Sequence, residues 1–115
     1  MQDALDELNS NSTVTLSAVS NSYVTLQEQA FGKCGRLIYG YATIEMKADM
    51  NPWTNTNFAK FPNNPYKPIA FHTISADGQY GMVSVRGDGY VNLNALAITL
   101  KNGNALRFEI VYLAA

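Results

Sequence analysis

The sequence predicts an all-β protein: an antiparallel β-sandwich or jelly-roll-like head preceded by a short N-terminal coiled-coil helix. Three observations predict it. Apolar residues recur at spacings of two through most of the chain, Gly and Asp-Gly or Asn-Gly pairs punctuate those runs, and only the first ten residues carry a helical spacing. The division that follows is a helix over 1–10, the end of a stalk, and a head over 11–115.

Met1, Leu5 and Leu8 fall on one seam of the leading helix. A helix this short does not stand alone in water, because nucleation costs more than its few turns return. It must lean on copies of itself or fold back on its own body. Asn9-Ser10-Asn11-Ser12 ends it. Residues 13–19 and 23–31 are rich in β-branched and aromatic types and read as strands. Residues 36–48 alternate, with Ile38, Gly40, Ala42, Ile44 and Met46 on one face and Thr43, Glu45 and Lys47 on the other, so this run should cross the middle of a sheet. Tyr39 and Tyr41, on its second face, are apolar enough to meet a neighbouring subunit.

All four prolines fall in residues 49–68, so ladder hydrogen bonding is interrupted there and only 57–61 reads as a short strand. Residues 69–75 and 80–86 form a hairpin about Asp77-Gly78, and 90–93 continues after Gly87-Asp88-Gly89. Leu96, Ile98 and Leu100 alternate up to Asn102-Gly103, and Leu106, Phe108, Ile110 and Tyr112 alternate on the way back, which predicts a final hairpin.

Composition narrows the function. Charged residues are 15% of the chain and the net charge is -1, so solubility rests on Asn, Ser and Thr, and no basic run offers an electrostatic footprint for nucleic acid. No apolar stretch is long enough to span a bilayer, and the N-terminus has no secretory signal. One cysteine, Cys34, allows neither an internal disulfide nor a zinc ligand set. No cofactor, metal or catalytic set is expected: HExxH, phosphate-loop and nucleotide fingerprints are absent. Glu45, Asp49, Asp77 and Asp88 are the acids from which a polysaccharide-cleaving pair would have to come, and nothing in their spacing sets two face to face.

The "ALDELNS" lead-in, the single β region, the central "WTNTNFAKFPNNPYKP" followed by a strand, the Asp-Gly hairpins and the "FEIVYLAA" finish together resemble the C-terminal receptor-binding head of tail-fibre proteins from phages and prophages of Gram-positive bacteria. The resemblance implies a homotrimer at the tip of a virion fibre that attaches to a cell-surface saccharide. Met1, Leu5, Leu8, Tyr39 and Tyr41 would then be trimer contacts. A trimerising cap or connector without a ligand shares the same fold and is the competing role.

Saccharide recognition needs a flat aromatic face for the ring and planar amide, carboxylate or guanidinium groups for its hydroxyls. Trp53, Asn55, Tyr66, His72, Tyr80, Arg86 and Asp88 supply such groups in or near loops. Most of them have a plainer reading. Trp53 would plug the sandwich edge, Tyr66 would pack beneath the proline loop, and His72 would be a polar strand residue. Arg86-Gly87-Asp88 spells an adhesion tripeptide but is also an ordinary turn.

Overall fold

The computed structural model describes residues 12–75 and 78–115. They form nine strands: β1 (Ser12–Val14), β2 (Ser17–Ala18), β3 (Val24–Cys34), β4 (Leu37–Met46), β5 (Asn55–Lys60), β6 (Ile69–Ser75), β7 (Tyr80–Val85), β8 (Tyr90–Asn94) and β9 (Ala105–Leu113). All pairings are antiparallel, in the order β1-β3-β4-β9-β6-β7-β8-β5-β2. The all-β expectation holds. The helix over 1–10 with Met1, Leu5 and Leu8, and Asp77 of the expected turn, lie outside the described residues.

The sheet curls until its two edges meet. β1 and β2 are consecutive in the chain yet stand at opposite ends of the strand order: Val14 is opposite Phe31 on β3, and Ser17, three residues on, is opposite Lys60 on β5. What the sequence presents as one strand over 13–19 therefore changes partners midway. The peptide groups of Leu16, stranded between the two ladders, are satisfied by one side chain: Leu16 N–H donates to Gln29 Oε1 at 2.7 Å, and Gln29 Nε2 donates to the Leu16 carbonyl at 3.1 Å. Leu16 itself is buried.

Opposite this seam, β6 meets β9 only at Ile74↔Arg107 and Ser75↔Leu106, so the sheet divides into two halves, β1-β3-β4-β9 and β6-β7-β8-β5-β2. Their inner faces form the core. Ile38, Ala42, Ile44, Phe108 and Ile110 come from the first half, and Phe58, Val83, Val85, Val91 and Leu93 from the second. Edge-to-face rings join them, Phe58 to Phe108 at 5.9 Å and Phe31–Phe61–Tyr112 at 5.1 and 5.2 Å.

β4 lies inside its half between β3 and β9, as its alternation predicts. The β3–β4 hairpin turns on Gly35-Arg36, with the positive φ at the first central residue that a type II′ turn demands. Gly40 takes φ 150° where β4 presses on β3; a Cβ there would stand 2.1 Å from the Ala30 carbonyl oxygen. The expected final hairpin is corrected. Asn102-Gly103 does turn, but residues 96–101 form no strand: Leu96 adopts a left-handed φ of 49°, and only Leu100 bridges, to Met50. β9 is laddered along β4 instead.

The register defines two ends. Ser12, the β3–β4 turn, the 61–68 loop, the 86–89 turn and the chain's last residues lie at one, here called proximal. The 47–54 loop, the β6–β7 turn and the 95–104 segment lie at the other, the distal end.

Candidate functional site

Trp53 sits at the distal end, two residues before Asn55, and is 69% exposed. It does not plug the sandwich. Its φ of 63° is left-handed, as is that of Leu96, and the two residues are hydrogen-bonded to each other, Trp53 N–H donating to the Leu96 carbonyl at 2.7 Å. Leu96 is fixed in turn by Asn94, whose Oδ1 accepts the Leu96 N–H at 2.9 Å, and the neighbouring Ala95 N–H donates to the Thr54 carbonyl. Two non-glycine residues in this region carry a conformational cost of about 1–2 kcal/mol each. Such strain persists only where the surroundings over-determine it, and it clusters at binding sites.

From Trp53 the outer face of the second half extends as two rows across β6, β7, β8 and β5. Register places His72, Met82, Asn94 and Asn55 in one row, and Ala70, Ser84, Asn92 and Asn57 in the next. Asn92 is nearly buried, and its Nδ2 donates to Asn55 Oδ1 at 3.2 Å and to Asn57 Oδ1 at 3.0 Å. Tyr80, 42% exposed, has the same parity at the distal edge of β7.

The seven expected ligand residues are therefore not brought together. Trp53, Asn55, His72 and Tyr80 share this face or its distal rim. Tyr66, Arg86 and Asp88 stand at the proximal end. Tyr66 is exposed rather than packed under the proline loop, with Arg36 and Lys67 at 5.8 and 5.7 Å from its ring. Arg86 to Gly89 is a tight turn closed by Gly89 N–H to the Arg86 carbonyl, with Asp88 Oδ1 accepting the Tyr90 N–H. The tripeptide is thus a turn. Asn92, Asn94 and Leu96 are not among the residues that the sequence offers for a ligand, although the spacing of two in Asn55-Thr56-Asn57 and Asn92-Leu93-Asn94 marks one outward face.

The first half presents a different outer face. Tyr41 Oη donates to Glu28 Oε1 at 3.0 Å while the Arg107 guanidinium lies 4.3 Å from its ring; the hydrogen bond to Glu28 and that carboxylate's charge hold the phenol above its ordinary pKa. Toward the proximal end the same face turns apolar. Leu37 pairs with Leu113 and Tyr39 with Val111, and Leu37, Val111 and Leu113 are 38%, 56% and 53% exposed. Tyr39 lies across Gly32, where an added Cβ would come within 2.9 Å of its hydroxyl. An open groove of about 590 Å³ runs beside it, floored by β1 and β3.

Among the described residues no group of three or more His, Cys, Asp and Glu side chains is placed to hold a metal. Glu45 is hydrogen-bonded to Gln27 on the first outer face, and Asp49 Oδ1 accepts the Asn102 N–H at the 102–103 turn. Comparison with known protein families and with curated proteins finds no match to this chain.

Proposed function

We propose that this protein is a fibre-tip binding module: the sandwich head of a phage or prophage tail fibre that attaches, as a homotrimer on the virion, to a saccharide of the bacterial surface. The observation that carries the reading is Trp53. A lone tryptophan is held outside the core by a strained, hydrogen-bonded backbone, at the end of the molecule opposite the one where Ser12 joins the body. A stalk attached at the proximal end leaves the distal end free to meet a surface. An exposed indole beside planar amides is the equipment that sugar rings require.

Self-association is supported by the other outer face. A monomeric antiparallel sheet that meets water presents polar residues there, whereas Leu37, Tyr39, Val111 and Leu113 form an apolar cluster near the point where the Met1, Leu5 and Leu8 seam would join. Cyclic symmetry would bring both features to the axis.

Adsorption of the purified protein to a panel of bacterial cell walls tests the binding role, with Trp53→Ala alongside. The expected result is adsorption by the wild type and its loss in the variant with oligomer mass unchanged. Loss of assembly in Trp53→Ala would point to a trimerising cap instead. Light scattering tests the oligomer: a threefold mass is expected, and a monomer at every concentration would refute it.

A further inference from the structure

We infer that the saccharide seat is the outer face of β6, β7, β8 and β5, and that it takes an uncharged chain lying across the strands, read by the carboxamides of Asn55 and Asn57, which Asn92 orients. This rests on the binding-head reading and deepens it by naming the surface and the ligand's charge and extent.

The hydrogen bonding fixes which groups face outward. Both amide hydrogens of Asn92 are engaged by the Oδ1 atoms of Asn55 and Asn57. That arrangement orients both partner amides, and it leaves the NH2 group of each with two hydrogens and no protein acceptor among the hydrogen bonds of the described residues. Asn94 follows the same pattern, its Oδ1 being occupied by the Leu96 N–H. The outcome is a row of pre-oriented donors, which suits hydroxyl and ring oxygens. Because Asn92 is nearly buried, the cluster is held as a unit, and little side-chain freedom remains to be lost on binding.

Charge selects among ligands. The two rows contain no carboxylate and neither Lys nor Arg. Glu28 and Glu45 belong to the other half's outer face; the charges that border the rows are of both signs, Arg107 and Glu109 of β9 sharing a groove with His72 on the β6 side, and Lys60, whose ammonium lies 4.9 Å from the Tyr90 ring, at the proximal end of β5 with Arg86 just past β7. Within the amide rows themselves an anionic polymer would find no guanidinium fork and a cationic one no counter-charge, and the bordering charges of opposite sign offset one another.

Dimensions give the extent. Four strands about 4.8 Å apart make a face about 14 Å across, the reach of a short oligosaccharide rather than of one ring. Trp53, at the β5 side of the distal row, offers a stacking surface where such a chain would leave the amides, and His72 bounds the row on β6.

The experiment is calorimetric titration of the full chain with uncharged chito-, cello- and malto-oligosaccharides from disaccharide to hexasaccharide, and with oligogalacturonate as the anionic comparator. Asn57→Ala removes one donor, and Ser84→Arg fills the centre of the face without removing any hydrogen bond of the cluster; thermal midpoints confirm that both fold. The expected result is binding of an uncharged series that strengthens with length and is insensitive to salt. Asn57→Ala should weaken it by about tenfold, the loss of one or two hydrogen bonds, and Ser84→Arg should abolish it. Uncharged binding that survives both variants but falls with Tyr66→Ala or Arg86→Ala would move the seat to the proximal end, overturning this inference while leaving the saccharide reading intact. Binding of the anionic series alone, weakening with salt, would overturn the uncharged assignment. Wild type that binds neither these sugars nor any cell wall would remove the binding-head reading and this inference with it.

Discussion

Trp53 allows the strongest test, because its two substitutions separate strain from contact. With 69% of the residue exposed, about a third of a side chain of roughly 250 Å² is covered, or about 80 Å². At ~25 cal/mol per Å² its removal costs at most about 2 kcal/mol. Against this stands the left-handed backbone at φ 63°. Alanine inherits that strain, whereas glycine relieves about 1–2 kcal/mol of it and gives back about 0.5–1 kcal/mol in extra unfolded-chain entropy. Trp53→Ala should therefore cost about 2 kcal/mol and Trp53→Gly about 1 kcal/mol. Urea denaturation reads both, and for a chain of this size each kcal/mol moves the thermal midpoint by about 4 °C. A tryptophan that plugged the sandwich would cost about 3–5 kcal/mol on truncation to either residue. A loss of that size in both variants, or a glycine variant clearly less stable than the alanine one, would refute the claim that the indole is held out at conformational expense.

Other consequences follow from the same geometry. Gly40→Ala should destabilise by about 4 kcal/mol or more, seen as failure to fold or as a collapsed urea midpoint, because the new Cβ would lie 2.1 Å from the Ala30 carbonyl oxygen and 2.7 Å from Phe31 Cα, backbone atoms that cannot rotate away. Ser75→Ala should stabilise by about 1 kcal/mol, since the buried Ser75 Oγ has no hydrogen-bond partner among the described residues; a destabilised variant would show that the hydroxyl is satisfied in solution. Tyr112 donates its hydroxyl to the Asn63 carbonyl at 2.8 Å, and burial pushes its pKa up to about 12 from 10.0. The unfolded chain loses this proton first, so its contribution to stability is complete below about pH 10 and is lost as pH rises towards 12. Tyr112→Phe should cost about 1 kcal/mol at neutral pH, from the orphaned carbonyl, and should show a shallower alkaline decline than the wild type in pH-resolved denaturation.

How much of this was legible beforehand depends on how local each signal was. β6 over Ile69–Ser75 and β9 with its alternating Leu106, Phe108, Ile110 and Tyr112 follow directly from a period of two. The same period misleads at Leu96, Ile98 and Leu100. There the backbone is set by tertiary partners, the Leu96 carbonyl being taken by Trp53 and the Leu100 peptide by Met50, so the alternation belongs to a loop with one buried side chain. The run over 13–19 is correctly β in composition, but its change of partner at Leu16 depends on Gln29, thirteen residues away. The site divides likewise. Trp53 and Asn55 are conspicuous in a proline-rich loop, whereas the convergence of Asn55, Asn57 and Asn92 is a matter of β5–β8 register, which no local pattern encodes.

The two outer faces carry opposite chemistry, and that asymmetry sharpens the functional proposal. Proximal aliphatics on β4 and β9 suit burial against protein, while distal amides on β5 and β8 suit hydrated ligands. They lie on different halves of the curled sheet, with a hydrophobic core between them, so substitutions on one should not propagate to the other. Val111→Glu places a charge in the apolar cluster and should dissociate the oligomer while leaving the affinity of each protomer for an oligosaccharide unchanged. Ser84→Arg should do the reverse. Adsorption to a cell wall, which counts simultaneous contacts, should fall in both, but only Val111→Glu should recover when the protomers are rejoined through a foreign trimerising stalk. Failure of that rescue, with soluble-sugar affinity intact, would mean that the β4–β9 face touches the receptor itself rather than a neighbouring copy.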